Sequence, residues 1–235
     1  MNILIIGGSG GIGLALIEHF LSSDNTATIF ATYRNAQPTI SAPNLNWHNV
    51  DVTAESDIKE LANVIPKLDM LINAVGVLTG PEHSPEKTIN AFDVDFFNQN
   101  LSINTISTLL LARYFGEHLK SKSLSHFVSL SARVGSIEDN QLGGWISYRC
   151  SKAALNMAIK TISIEWQRKK HNCCMFAFHP GTTDTSLSKP YQKNVPEHKL
   201  FTPQYVAAQL ANLIETTTSE DTGKFYSFDG KEIPW

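Results

Sequence analysis

Asn2-Ile3-Leu4-Ile5-Ile6-Gly7-Gly8-Ser9-Gly10-Gly11-Ile12-Gly13 is the stretch whose reading decides the fold. An apolar run at Ile3–Gly7 predicts a strand, and the amphipathic period at about Gly11–Leu21 predicts a helix, with the glycines joining them. Glycine lets the backbone turn tightly. It also lets a pyrophosphate reach a helix N-terminus, where unpaired N–H groups and the helix dipole favour anions. Gly8, Gly10 and Gly13 fit the dinucleotide pattern G-x-G-x-x-G, while Gly7, Gly11 and Gly13 fit the variant G-x-x-x-G-x-G. Gly7-x-Ser9-x-Gly11 also spells the hydrolase nucleophile elbow, but no strands precede it to build a sheet beneath. A Walker loop is excluded because the Gly-Lys-Ser/Thr ending is absent.

Outward from this loop, short apolar runs alternate with longer amphipathic stretches. Further strands are expected at Thr28–Tyr33, Asn46–Val50, Leu68–Asn73, His126–Leu130, Cys174–Phe178 and Phe225–Ser227. Helical periods lie at about Glu55–Ile65, Phe96–Lys120, Tyr148–Lys170 and Thr202–Thr216. Strands apolar nearly throughout are buried on both faces. Strand and helix in series predict an α/β architecture: a single-domain Rossmann fold whose doubly wound parallel sheet has about seven strands flanked by helices. The 235 residues carry no repeat, low-complexity segment or linker, so residues 1–235 read as one NAD(P)-binding domain. Two stretches are long enough to be functional loops: Ser131–Ser147, and Thr182–Phe201 with Lys189, Lys193 and Lys199. Both follow late strands at their carboxyl ends, where open α/β sheets bind ligands, and the second is read as a substrate lid.

Composition excludes several classes. With 42% hydrophobic and 17% charged residues the chain is ordinary and globular. The net charge of −3 recommends neither nucleic acid nor an anionic membrane as partner. Three cysteines, Cys150, Cys173 and Cys174, build no disulfide framework and suit a reducing compartment. No basic leader and no apolar run of membrane-spanning length is found, so a cytoplasmic location is expected. His171, Cys173, Cys174 and His179 match no zinc spacing, and no metal is expected. The stretch Ala153–Trp166 is apolar over most of its girth, with Ala154, Leu155, Met157, Ala158, Ile159, Ile162, Ile164 and Trp166 making a wider stripe than one sheet face needs. That predicts a second buried face and a homodimer or homotetramer.

The end of the second strand, Ala31-Thr32-Tyr33-Arg34-Asn35, lacks the carboxylate that bonds the ribose 2′-OH of NAD and offers Arg34 instead. A guanidinium on a 2′-phosphate makes charge-assisted bonds worth roughly 1.5–3 kcal/mol. That is a preference for NADP(H) of about ten- to a hundredfold. Tyr148-Arg149-Cys150-Ser151-Lys152 puts a Tyr and a Lys at i and i+4, on one helix face. A free phenol has a pKa near 10 and is a sluggish acid at neutral pH. A neighbouring ammonium, with the positive charge of an oxidised nicotinamide, favours the phenolate and brings that value toward the working pH.

Taken with Gly7-x-x-x-Gly11-x-Gly13, this pair makes the chain resemble the short-chain dehydrogenases/reductases of the classical type. The family's other landmarks appear in order. Asp51-Val52 resembles the pair that holds the adenine ring, and Asn73-Ala74-Val75-Gly76 is similar to the N-A-G motif with Val75 inserted. Asn104 resembles the helix asparagine that holds a proton-relay water, Asn100 being the other candidate one turn earlier. Pro180-Gly181-Thr182-Thr183-Asp184-Thr185 resembles P-G-x-x-x-T, which meets the nicotinamide amide and the phosphates. The segments Ser131–Ile137, Gly143-Gly144-Trp145 and Asp229–Trp235 resemble the C-factor or sniffer-like carbonyl reductase branch.

One landmark departs. Ala132 stands where the family's second serine after the fifth strand is expected, and the segment before Tyr148 is longer. Ser131 is the nearest hydroxyl and the candidate for polarising a carbonyl, with Ser129 and Ser136 open as alternatives. The resemblance implies NADPH-dependent reduction of an aldehyde or ketone by Tyr148, Lys152, Ser131 and Asn104. Its cofactor would contact Gly7, Ser9, Gly10, Gly11, Ile12 and Gly13 in the glycine loop. Arg34, Asp51, Val52, Asn73, Ala74 and Gly76 follow along the next strand ends, and Tyr148, Lys152, Pro180, Gly181, Thr183 and Thr185 complete the set. Trp145, Leu142 and the lid would wall the substrate pocket. The alternative is a signalling or regulatory protein that binds cofactor with little turnover, which Ala132 favours and the Tyr148–Lys152 pair opposes. An epimerase of the extended relatives shares Y-x-x-x-K, but chain length and glycine spacing oppose it.

Overall fold

Ile3, Leu4, Ile5 and Ile6 are all fully buried in the first strand, β1 (Asn2–Ile6). Successive strand side chains point to opposite faces, so Leu4 and Ile6 enter one apolar core and Ile3 and Ile5 another. The computed structural model describes residues 1–23, 26–80 and 82–235, and all seven expected strands are present. After β1 come α1 (Gly11–Ser23), β2 (Thr28–Tyr33), β3 (Leu45–Asn49), α2 (Glu55–Val64) and β4 (Met70–Asn73). Then follow α3 (Val94–Leu101), a π-turn (Ser102–Ile106), α4 (Ser107–Phe115), β5 (Ser125–Leu130) and α5 (Ile146–Arg168). The last part holds β6 (Cys173–His179), the short β7 (Thr182–Thr183) and β8 (Leu200–Phe201), α6 (Pro203–Thr216) and β9 (Phe225–Ser227).

The main sheet runs β3-β2-β1-β4-β5-β6-β9 and every pairing in it is parallel. Leu16, Ile17 and Phe20 of α1 and Val206, Leu210 and Ile214 of α6 cover one face. Ile58 and Leu61 of α2, Leu111 and Phe115 of α4, and Leu155, Ile159 and Trp166 of α5 cover the other. The architecture is therefore the doubly wound Rossmann-like α/β fold. Strand order reverses between β1 and β4, and a crevice opens there at the carboxyl edge, the place such sheets offer to ligands.

Two features differ from the sequence expectation. The helical period at Phe96–Lys120 is broken by the π-turn and ends at Phe115. Polar side chains pull the backbone out of register there: Asn104 grips Val77, Thr105 Oγ1 donates to Ser151 O at 2.7 Å, and Ser107 Oγ bonds back to Ile103 O at 2.6 Å. The segment Thr182–Phe201, read from the sequence as a lid, is not structureless: β7 and β8 pair at its base, Thr182 with Leu200 and Thr183 with Phe201, and a 3₁₀ turn spans Lys189–Asn194. In β6, Cys173 and Cys174 enter opposite cores, and burial pushes both thiols up to about 12. Among the described residues no helix is long and apolar enough to cross a membrane.

Candidate active site

The glycine loop after β1 is shaped by backbone crowding. Gly7 has a φ of 80°, a conformation that favours glycine. A Cβ on Gly13 would sit 2.2 Å from Gly7 O, so only glycine lets α1 start this close to the strand. Gly10 N donates to Gly7 O at 3.0 Å and closes the turn, while Gly7 N is held by Thr32 Oγ1 at 2.9 Å. Ser9, Gly10 and Gly11 are exposed, and α1 carries no acidic residue in its first turn. This cradle fits an anionic pyrophosphate.

At the end of β2, Arg34 is exposed and forms no ion pair among the described residues. Asp51, at the end of β3, has its carboxyl held below the usual range by Thr53, whose N–H and Oγ donate to Oδ1 at 2.9 and 2.7 Å. Its other oxygen remains available to an amino group. Val52 beside it is buried. Asn73, at the end of β4, is locked below the crevice: Oδ1 accepts from Val75 N at 3.1 Å and Nδ2 donates to Thr108 Oγ1 at 2.9 Å.

A cavity of about 400 Å³ opens over the strand ends. It unites Gly10, Gly11 and Ile12 with Ala74 and Gly76, and these with Ser131, Tyr148 and Lys152. Pro180, Gly181, Thr183 and Thr185 form its far wall, where Thr185 comes so close to Gly11 that a Cβ there would lie 2.7 Å from its methyl. Gly7, Ser9, Gly13, Arg34, Asp51, Val52, Asn73 and Asn104 lie outside its immediate lining.

Tyr148 and Lys152 stand one turn apart on α5, with Nζ 5.9 Å from the phenol ring centre. Lys152 is 2% exposed, and its ammonium donates to Leu130 O at 2.8 Å. Burial pulls its pKa down to about 7 and pushes the Tyr148 phenol above its ordinary value. Burial thus keeps the Tyr148 phenol protonated and makes the Lys152 ammonium easy to discharge. Asn104 sits behind them in the π-turn. Its Oδ1 accepts from Val77 N at 2.8 Å; its Nδ2 donates to Val77 O at 3.0 Å and to Ser151 Oγ at 2.9 Å. Its amide protons are therefore committed to tying α5 to the chain after β4. Such π-turns recur at functional sites.

Ser131 lines the cavity, but its hydroxyl donates to Asn156 Oδ1 at 2.6 Å. Polarising a carbonyl would require that proton to leave Asn156. Leu142 corrects an expectation: it is 91% exposed and forms no part of the cavity wall, because Gly143 and Gly144, at φ 64° and 65°, turn the chain away before Trp145 enters the wall. Two residues escaped the sequence reading, and a third, His179, was weighed there only as a metal ligand. Asn156 lies two turns beyond Tyr148, and Ser151, within the Tyr-to-Lys span, bonds Tyr148 O at 2.8 Å. His179 also lines the cavity; burial lowers its pKa to about 4, so its imidazole is neutral, with Nδ1 buried and without a hydrogen-bond partner among the described residues. His179 directly precedes Pro180-Gly181, the one signal that could have found it.

A reversing parallel sheet with a glycine loop on one side of the switch and a Tyr-x-x-x-Lys helix on the other defines a nicotinamide-dependent oxidoreductase. More narrowly, the chain belongs to the short-chain dehydrogenase family, whose model matches residues 1–196. A relative, 1-hydroxy-2-glutathionyl-2-methyl-3-butene dehydrogenase of Rhodococcus sp. (strain AD45), is 31% identical over 79% of this chain and 78% of its own. Among solved structures, the NADPH-bound carbonyl reductase from chicken fatty liver superposes with a TM-score of 0.86 at 27% identity, covering 100% of this chain and 98% of that one. The carbonyl reductase Sniffer of D. melanogaster has the same fold, with a TM-score of 0.87 at 23% identity over 100% and 99% of the two chains.

Proposed function

We propose that this protein is an NADPH-dependent carbonyl reductase that converts an aldehyde or ketone to the alcohol. The observation that carries the reading is that Tyr148 and Lys152 share one cavity with the glycine loop. The NADPH-bound chicken relative supports it, and the comparisons favour an enzyme over a binding-only protein. When bound, NADPH supplies the hydride to the carbonyl carbon. Gly11–Gly13 would hold its pyrophosphate, Arg34 its 2′-phosphate and Asp51 its adenine, while Pro180–Thr185 would position the nicotinamide end.

Tyr148 donates a hydrogen bond to the substrate oxygen and passes its proton as charge develops there, an oxyanion-type stabilisation. Burial raises its pKa and makes it a weaker acid, against the lowering expected from the sequence, so the charge on Lys152 has to favour the phenolate for the proton to pass. Lys152, recharged beside the anionic cofactor, binds the ribose and stabilises the phenolate left behind. Ser131 serves as second donor by exchanging Asn156 for the substrate oxygen. Asn104 would hold the water that resupplies the proton, as the family resemblance implies. Trp145 and the lid enclose a mostly apolar substrate. Met157 and Ile164, 66% and 40% exposed on α5, support a homodimer or homotetramer through that face, and the three free thiols support a cytoplasmic setting.

The test is NADPH oxidation against a panel of aldehydes, ketones and quinones, with Tyr148→Phe alongside. Turnover lost in the variant, with NADPH affinity retained, is the expected result. Turnover equal to the parent's refutes the role of Tyr148.

A further inference from the structure

Glu86 belongs to none of the motifs above and does not line the cavity, yet the residue is only 3% exposed. It lies in the chain between β4 and α3 and reaches the start of the catalytic helix. Both carboxylate oxygens accept from Ser147 N, at 3.3 and 3.2 Å, and Oε1 also accepts from Ser147 Oγ. Helix α5 has no acidic residue in its first turn and no side-chain cap from Trp145. Glu86 therefore supplies, from a distant segment, the negative charge that a helix N-terminus favours. Ser147 is completely buried and directly precedes Tyr148.

The same residue acts through its main chain. Glu86 O accepts from Trp145 N. Trp145 is held at φ 52° and ψ 43°, the left-handed region that a bulky side chain avoids. It follows two left-handed glycines, and its indole packs 6.4 Å from the Tyr148 ring and 5.2 Å from the Tyr191 ring of the lid. A strained conformation of this kind persists only where its surroundings over-determine it. Here the surroundings are Glu86 on one side and Arg149 on the other, whose Nε donates to Gly144 O at 3.0 Å.

We propose that Glu86 is a positioning residue that fixes both the proton donor Tyr148 and the Trp145 wall of the substrate pocket. The clamp joins the segment after β4 to the first turn of α5, so the acid and the wall are set by one carboxylate and its own peptide oxygen. The proposal rests on the reading of Tyr148 as proton donor. It goes beyond it by assigning the geometry of that donor to a residue that touches neither substrate nor cofactor.

The test compares Glu86→Gln and Glu86→Ala in the full chain. Gln keeps shape and one acceptor oxygen but loses the charge and the second acceptor. Since small misplacements of a catalytic group can cost a hundredfold, kcat is expected to fall about tenfold in Glu86→Gln and about a hundredfold in Glu86→Ala. The KM for NADPH is expected to stay unchanged in both, a split that a merely structural role would not produce. Amide hydrogen exchange, followed by mass spectrometry, is expected to accelerate in the peptide covering residues 143–149 and nowhere else. A kcat per folded molecule within twofold of the parent overturns the proposal, as does unchanged exchange in that peptide. If Glu86→Ala does not fold, Glu86→Gln decides by the same two readouts. A parent that reduces no carbonyl removes the premise about Tyr148, whereas the exchange measurement reads the clamp independently of turnover.

Discussion

Replacing Lys152 by Met removes a buried cation whose proton is less tightly held in the folded protein than in the unfolded chain. Burial lowers its pKa from 10.5 to about 7, and at 2% exposure solvent screens little of that cost. Below pH 7 both states carry the proton and the folded state bears the full desolvation penalty. Between pH 7 and 10.5 the unfolded chain binds the proton and the folded one releases it, so stability rises with pH by about 1.4 kcal/mol per unit. From pH 7 to 9.5 the gain from this one group is about 3 kcal/mol. Met is close in volume and has nothing to titrate. The difference in unfolding free energy, parent minus Lys152→Met, should therefore climb by about that amount over the interval. Urea unfolding of nucleotide-free protein, followed by tryptophan fluorescence at several pH values, measures it. A difference that stays flat, or falls, as pH rises refutes the assignment of a lysine discharged by burial.

Arg34→Asp should reverse cofactor preference, cutting the NADPH to NADH ratio of kcat/KM by about ten- to a hundredfold or more; an unchanged ratio removes Arg34 from the 2′-phosphate site. Gly13→Ala places a methyl 2.2 Å from Gly7 O, so soluble yield and NADPH affinity should both collapse. Normal binding by a folded Gly13→Ala protein would contradict the crowding described for the loop. Ser131→Ala leaves the Asn156 carbonyl oxygen without its donor and should cost about 1–3 kcal/mol in urea unfolding. If Ser131 also serves the substrate, kcat/KM falls with it, whereas a purely structural serine leaves kcat/KM unchanged.

The strands were legible because parallel strands covered on both faces read as unbroken apolar runs, and Ile3–Ile6, Met70–Ile72 and Cys174–Phe178 are such runs. The glycine loop and the Tyr148–Lys152 pair were legible because their chemistry is local: one turn of chain carries each. What escaped depends on partners far apart in sequence. The π-turn exists because Asn104 meets Val77 and Thr105 meets Ser151, contacts that no periodicity encodes. The role of Ser131 turned on Asn156, which reads as one more polar residue on a helix. Leu142 and Trp145 looked equivalent in sequence, yet two left-handed glycines send one into solvent and the other over the phenol.

The small β7–β8 pairing has a consequence for how this scaffold can be adapted. Its two rungs clasp the base of the lid, so the chain leaves and re-enters the body at fixed points whatever lies between. Once the ends are clasped, doubling the length of the intervening loop adds only about 0.6 kcal/mol of closure entropy. Insertions and deletions beyond Gln192 are therefore thermodynamically cheap, whereas Thr185, against Gly11, and Tyr191, against Trp145, tie the first half of the loop to the glycine loop and to the start of α5. A scaffold arranged in this way can change the size and polarity of what it admits while keeping its chemistry constant.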